Sequence, residues 1–391
     1  MKIALVHDYL TQFGGAERVF ELMCQHFPQA DVFTSVYDPE NTINLGDRKI
    51  NTTFLNRVPG VAKKFRMFAP LYYPAFRSLD LQEYDLILSS SAAFAKGVRK
   101  RPDATHICFC HNVTRFLWDT KVYLNQYTHF RPFKSLLAPI FEHLKTEDLH
   151  YAKEPDVYIA NSTTVASRIE TIYQQPAQTI NYPIDSQRFQ FSDKKSDFFL
   201  VASRLISYKR IDIIVEAFNW LGWPLVIVGN GPERERLEAM AMPNITFKGH
   251  VSDTERCQLM TQARGVIVAA LEDYGLVPIE SNFSGTPVVA YGKGGVLDTQ
   301  IPGKTGFFFD KQTPESLYKA LLKAGEQDWD HFAIRQHAVE NFTESVFFDK
   351  VKDVLDAKGF KDILASPRAN SGENGQNMMK PHVAASTLMA A

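Results

Sequence analysis

Apolar runs of four or five residues recur along the chain, separated by amphipathic stretches. Residues 3–6, 32–35, 86–89, 107–110 and 157–160 are apolar almost throughout and read as buried strands, with helical patterns at residues 16–26 and 163–173. A second series begins at residues 198–202 and continues at 225–228, 245–248, 265–269 and 287–290. Helical stretches at residues 211–220, 233–240, 253–263 and 278–283 lie between its members. Apolar strands alternating with helices predict parallel sheets covered on both faces, an α/β class with two Rossmann-like, doubly wound domains. Residues 184–196 are polar and aperiodic and mark the linker. The expected domains are therefore 1–188 and 189–343, followed by a helix within 344–365 that packs back on the first domain. Residues 366–391, rich in Ser, Asn, Gly and Ala, are expected to be a disordered tail.

Composition narrows the function classes. A chain of 391 residues suits two cores better than one. A net charge of −1 gives no global field for nucleic acid, and no nucleic-acid partner is expected. Charge is uneven locally, with eleven Lys/Arg between Arg48 and Arg101 against Asp80, Glu83 and Asp85. The four cysteines make no disulfide framework, and Cys108 and Cys110 read as packing on one strand face. The first strand begins at Lys2, too early for a signal peptide, and no run approaches the roughly 18–20 apolar residues of a spanning helix. The expected location is cytoplasmic.

Candidate chemistry gathers at the carboxyl ends of the strands, where open α/β sheets bind ligands. Gly14-Gly15-Ala16-Glu17 opens a helix after the first strand, which suits an anion as well as plain packing. Gly229-Asn230-Gly231 fails as a dinucleotide fingerprint because position 234 is Arg, and Gly303-Lys304-Thr305 fails as a phosphate loop because position 298 is Asp. Arg204 and Lys209 flank a turn after a strand and suit a diphosphate, or form a solvated basic turn. Glu272 and Glu280 bracket Gly275, Leu276 and Val277, whose backbone N–H groups could form a nest for anions and hydroxyls. Two carboxylates also suit a glycosidase. A hydrolase, however, leaves the neighbouring cations and nest unexplained, whereas Glu280 can accept both ribose hydroxyls and Glu272 those of a hexose. His111 ends a strand, where a satisfied structural histidine is the ordinary reading.

Together, Gly14-Gly15, His111, Arg204 with Lys209, and Glu272-x7-Glu280 resemble glycosyltransferase family 4, retaining enzymes of GT-B architecture. The runs Val228-Gly229-Asn230-Gly231-Pro232-Glu233, Lys248-Gly249-His250 and Gly285-Thr286-Pro287-Val288 add to the likeness, which spans about residues 1–355. The resemblance implies that Arg204 and Lys209 bind the donor diphosphate, with Gly14 and Gly15 closing from the other domain. Glu280 would hold the ribose, Glu272 with residues 275–277 the sugar, and Gly229, His250 and Val251 would complete the donor site near the base. His111 would contact the sugar near its reactive carbon. No metal or other cofactor is implied. The runs His7-Asp8-Tyr9-Leu10 and Cys110-His111-Asn112-Val113-Thr114-Arg115 look like bacterial polysaccharide mannosyltransferases, which favours GDP-mannose over UDP-sugars as donor.

The acceptor side is expected in the first half. Residues 59–79 interleave Lys63, Lys64, Arg66 and Arg77 with seven apolar or aromatic side chains, and residues 130–144 add Arg131, Phe133 and Lys134. Such mixtures suit an anionic membrane face or a lipid-linked saccharide, and equally an amphipathic connection with core aromatics. The expected partners are a nucleotide-sugar donor and a saccharide or lipid-linked acceptor, with peripheral contact at the inner membrane face. Competing readings are a nucleotide-sugar epimerase of the same architecture and a non-catalytic nucleotide-sugar-binding protein.

Overall fold

The computed structural model describes residues 1–119 and 134–364. The expected tail at 366–391 and the start of the 130–144 stretch lie outside the described residues. Among the described residues thirteen strands form two sheets in which every pair is parallel. The first sheet comprises β1 (Ile3–His7), β2 (Asp31–Thr34), β3 (Ile50–Thr52), β4 (Leu86–Ser91), β5 (Thr105–Cys110), β6 (Val157–Ala160) and β7 (Ala177–Thr179). Its order is β3-β2-β1-β4-β5-β6-β7. The second comprises β8 (Phe199–Ala202), β9 (Leu225–Val228), β10 (Ile245–Gly249), β11 (Gly265–Val268), β12 (Val288–Tyr291) and β13 (Gly306–Phe309), in the order β10-β9-β8-β11-β12-β13. Two parallel sheets covered by helices are the GT-B arrangement.

Central strands are buried on both faces because helices cover both, and this is why they lack period-two alternation. All five residues of β1 and all six of β4 are buried. The helix Gly15–His26 turns Val19, Phe20, Met23 and Cys24 inward against β1, while Gln25 stays exposed. Ser252 caps the helix Asp253–Gln262 by accepting from Glu255 N–H, and Ser162 caps Thr163–Arg168 by accepting from Val165 N–H. All four cysteines are buried thiols. Cys110 directs its Sγ to the carbonyl oxygen of Asn112 at 3.1 Å, a contact internal to the β5 turn.

The last described helix, Glu344–Ala357, returns to the first sheet's lobe. His26 stacks on Phe348, and its Nε2 lies 2.6 Å from Oε1 of Glu344. Gln29 donates to the carbonyl oxygen of Ile363 at 2.8 Å, and Phe347 packs beside Phe109. The segment expected to be an aperiodic linker is tied down as well. Ile184 N–H donates to the carbonyl of Phe342, and Phe189 is buried against Phe283.

Candidate active site

The recess lies where β8 and β11 end. Its walls include Ser203, Ala269, Ala270 and Val277, and Lys209 and Glu272 face each other across it. Lys209 closes a short turn after β8, and Nζ donates to Oε1 of Glu272 at 2.6 Å. Arg204 is exposed at the same turn and donates to the Tyr208 hydroxyl at 3.2 Å. One cation thus enters the recess already paired and the other stands at its rim.

Glu272 is held by backbone. Gly295 N–H donates to its carbonyl oxygen at 2.8 Å, and a Cβ at Gly294 would come within 2.3 Å of that oxygen. Gly294 has φ +81°, a left-handed conformation that favours glycine. This Gly294-Gly295 support was missed in the sequence, although a Gly-Gly pair after a strand is a visible signal. Gly275 follows at φ +89° and begins the helix Leu276–Phe283, so the N–H groups of its first turn point out of the helix start. Glu280 lies on that helix and is 5% exposed. Each oxygen of its carboxylate already accepts one bond: Arg256, from Asp253–Gln262, donates from Nη2 to Oε1 at 3.2 Å and from Nη1 to Oε2. Burial presses the Arg256 pKa down, but Glu280 and Asp253 outweigh it and raise it overall.

The two lobes meet at Asp273, which the sequence reading passed over although it stands between the two glutamates. Its carboxylate accepts from Arg115 Nη1 and Asn112 Nδ2, each at 2.7 Å, and pairs with Arg168 Nη1 at 2.6 Å. Its carbonyl accepts from Ser162 Oγ at 2.5 Å. Thr163 donates from N–H and Oγ1 to Asp298, both at 2.6 Å, and Tyr274 donates its hydroxyl to the Tyr182 carbonyl. All these donors but Tyr274 belong to the first lobe. Gly15 stands at the same boundary, since a Cβ there would meet Leu276 Cδ1 at 2.8 Å. Gly14 precedes it at the helix start, where a Cβ would meet Oε2 of Glu17 at 2.7 Å. His111 ends β5, donates its N–H to the Ser91 carbonyl and accepts from Asn161 Nδ2 at its own carbonyl. Burial lowers its pKa to about 3, so the ring is neutral.

The outlying candidates fall differently. Gly229 has φ +126°, and a Cβ there would come within 1.9 Å of the Ser203 carbonyl oxygen. Its glycine is required by the close approach of the β8 and β9 turns, so its place among donor residues rests on the resemblance alone. His250 is exposed and Val251 half-buried after the edge strand β10. Asp8, directly after β1, is a loop anchor: its carboxylate accepts the backbone N–H groups of Ala92, Ala93, Phe94 and Ala95.

Known proteins resemble both lobes of the chain. Residues 184–343 match the model of glycosyl transferases group 1, and residues 13–188 that of Glycosyltransferase Family 4. The D-rhamnosyltransferase WbpZ of Pseudomonas aeruginosa is 25% identical over 216 residues, 50% of this chain and 55% of that protein. A glycogen synthase of Deinococcus deserti is 28% identical over 164 residues, 39% of this chain and 36% of the synthase. The chain thus spans about half or less of the length of these curated relatives. Among solved structures, Anabaena HepE in complex with UDP superposes with a TM-score of 0.68 at 17% identity, covering 91% of this chain and all of that one. Two family models that together take in residues 13–343, on two facing parallel sheets, place the chain in its family: it belongs to the GT-B glycosyltransferases.

Proposed function

We propose that the chain is a retaining glycosyltransferase that moves a hexose, mannose first among candidates, from a nucleotide-diphosphate sugar to a saccharide or lipid-linked acceptor. The observation that carries this reading is the recess itself. Lys209 and Glu272 face each other there, with the Gly275 helix start and buried Glu280 alongside. Lys209 and Arg204 neutralise the charge that grows on the leaving diphosphate, and the N–H groups at the helix start add fixed dipoles. Glu272 exchanges part of its bond with Lys209 for sugar hydroxyls. Glu280, oriented by Arg256, accepts from the ribose.

Glu272, Asp273 and Glu280 each already have a cationic partner. That pairing disfavours a carboxylate nucleophile and a glycosidase acid/base couple. In the reading favoured here the acceptor oxygen bonds to the anomeric carbon on the face that the diphosphate leaves. The sugar–phosphate bond breaks, and the acceptor proton passes to the departing phosphate oxygen. No metal is required, since the cations and helix start take its role. GDP is the favoured nucleotide because of the mannosyltransferase-like runs at residues 7–10 and 110–115. UDP is the second reading, favoured by the UDP in the HepE complex. A thermal-shift panel of GDP, UDP and ADP separates them. GDP alone is expected to raise the melting temperature. A rise with UDP alone would replace the donor, and no rise with any would contradict the clamp.

The 59–79 stretch divides in the structure. Phe65, Tyr72, Tyr73 and Phe76 enter the core, while Lys63, Lys64 and Arg66 are exposed beside Met67 (72%) and Leu71 (44%). No helix among the described residues is long and apolar enough to cross a membrane. Cations flanking exposed apolar side chains suit the surface of an anionic bilayer, and we assign the lipid-linked acceptor to the inner face of the membrane on that basis. Sedimentation with vesicles containing phosphatidylglycerol is expected to carry the protein down. Reversal of Lys63, Lys64 and Arg66 to Glu should leave it in the supernatant, and unchanged sedimentation would refute the contact.

A further inference from the structure

Beneath the Gly14-Gly15 turn, four polar side chains form a row from the start of the first helix to His111. Glu17 and His7 are each 2% exposed, and Ser90 is fully buried. Ser90 Oγ lies 2.9 Å from Nδ1 of His7 and 2.7 Å from Nε2 of His111. The other nitrogen of His7, Nε2, is 3.8 Å from Oε1 of Glu17, and Gln12 donates to that same oxygen at 3.0 Å. Burial pushes the Glu17 carboxyl up, but the Gln12 amide and the other neighbouring groups outweigh it and hold it below the usual range. It is a carboxylate at neutral pH.

Ser90 has one hydroxyl proton between two imidazoles, so it donates to one and accepts from the other. The Glu17 charge decides which. At 3.8 Å it is beyond hydrogen-bond length, yet a buried carboxylate still repels a lone pair turned toward it and attracts an N–H. A neutral His7 therefore carries its proton on Nε2 and offers the Nδ1 lone pair to Ser90. Ser90 donates to His7, and its oxygen accepts from Nε2–H of His111. A doubly protonated His7 would reverse the row. It would also bury an imidazolium without a direct hydrogen bond to its counter-ion, which compensates poorly for the lost hydration.

We infer that Glu17, acting through His7 and Ser90, fixes His111 as the Nε2–H tautomer, leaving Nδ1 as the nitrogen that accepts a hydrogen bond from a ligand. Glu17, His7 and Ser90 are positioning residues. The ligand chemistry rests on the proposed transferase reading: a sugar hydroxyl that donates its proton suits this face of His111, whereas an oxygen that only accepts does not.

Histidine-selective ¹⁵N NMR of the full chain tests the inference, with His111 identified by the signals lost in His111→Gln. Wild-type protein at neutral pH is expected to show pyrrole-type Nε2 and pyridine-type Nδ1 at His111. A protonated Nδ1 would overturn the inference, and this spectrum decides even if no Ser90 variant folds. Ser90→Ala is expected to bring both nitrogens to averaged, intermediate shifts, and Ser90→Thr to restore the wild-type pattern. An unmoved His111 pattern in Ser90→Ala would equally overturn it. In transfer assays Ser90→Ala is expected to raise donor KM about tenfold, the worth of about 1.4 kcal/mol. The expected spectra with unchanged transfer would leave the tautomer relay standing and remove His111 from the sugar contact.

Discussion

His106 is fully buried in β5: its Nε2 meets Ser89 Oγ at 2.7 Å, and its Nδ1 has no partner among the described residues. Burial lowers its pKa to about 3, as it does for His111. In the unfolded chain both titrate near 6.5, so below that pH the unfolded state binds more protons than the native one. Native stability from these neutral rings is full above pH 6.5 and declines as pH falls toward 3. Between pH 7 and 5 each costs about 2 kcal/mol. Urea unfolding should show that decline, and His106→Gln should reduce it by about 2 kcal/mol; an unchanged slope would contradict burial of a neutral ring. Single residues also show what the sequence could reveal. The Glu272-x7-Glu280 spacing and the cations at 204 and 209 stand out because their chemistry is written locally. Arg256 on Glu280 is 24 positions away, and Asn112 on Asp273 is 161 away. Nothing near either carboxylate announces these partners.

At the scale of elements, central strands were legible because burial on both faces makes them uniformly apolar. The edges were not. Ile50–Thr52 and Ala177–Thr179 are three-residue strands with polar members and half-exposed faces, so their pattern carries little signal. The helices Pro314–Glu326 and His331–Phe342 were also passed over, although Thr313 before Pro314 is a legible start. Thr163–Tyr173, expected as one helix, is an α-helix to Arg168 followed by a wider π turn over Ile169–Tyr173. The loop between β11 and Leu276–Phe283 has the largest consequence, because Asp273 joins it to three first-lobe side chains. Asp273→Ala removes the acceptor for Asn112, Arg115 and Arg168 together and leaves two arginines facing each other at the lobe boundary. Small-angle scattering is expected to show a larger radius of gyration in the free protein. Donor KM is expected to rise about tenfold, the worth of about 1.4 kcal/mol in lost closure. An unchanged radius and KM would mean that the clasp does not hold the lobes.

For the whole molecule, the proposed reaction draws on both lobes. The second supplies Lys209, Arg204, Glu272 and Glu280; the first supplies the Gly14-Gly15 turn and His111 across the boundary that Asp273 ties. The returning helix Glu344–Ala357 joins its ends through His26 and Phe348, so the chain crosses between lobes twice. The fold and the residues that line the candidate recess were readable because both rest on short local patterns. The acceptor side stayed less readable because its aromatics divide between core and surface, which periodicity does not distinguish. The central claim is that Lys209 stabilises a departing nucleoside diphosphate in a sugar transfer. It is tested most directly by measuring transfer from labelled GDP-mannose to acceptors in bacterial membrane extracts, with wild-type protein and Lys209→Ala. The account predicts transfer by the wild type and a fall in kcat of about 10² to 10³ in the variant. Undiminished transfer by Lys209→Ala would contradict it.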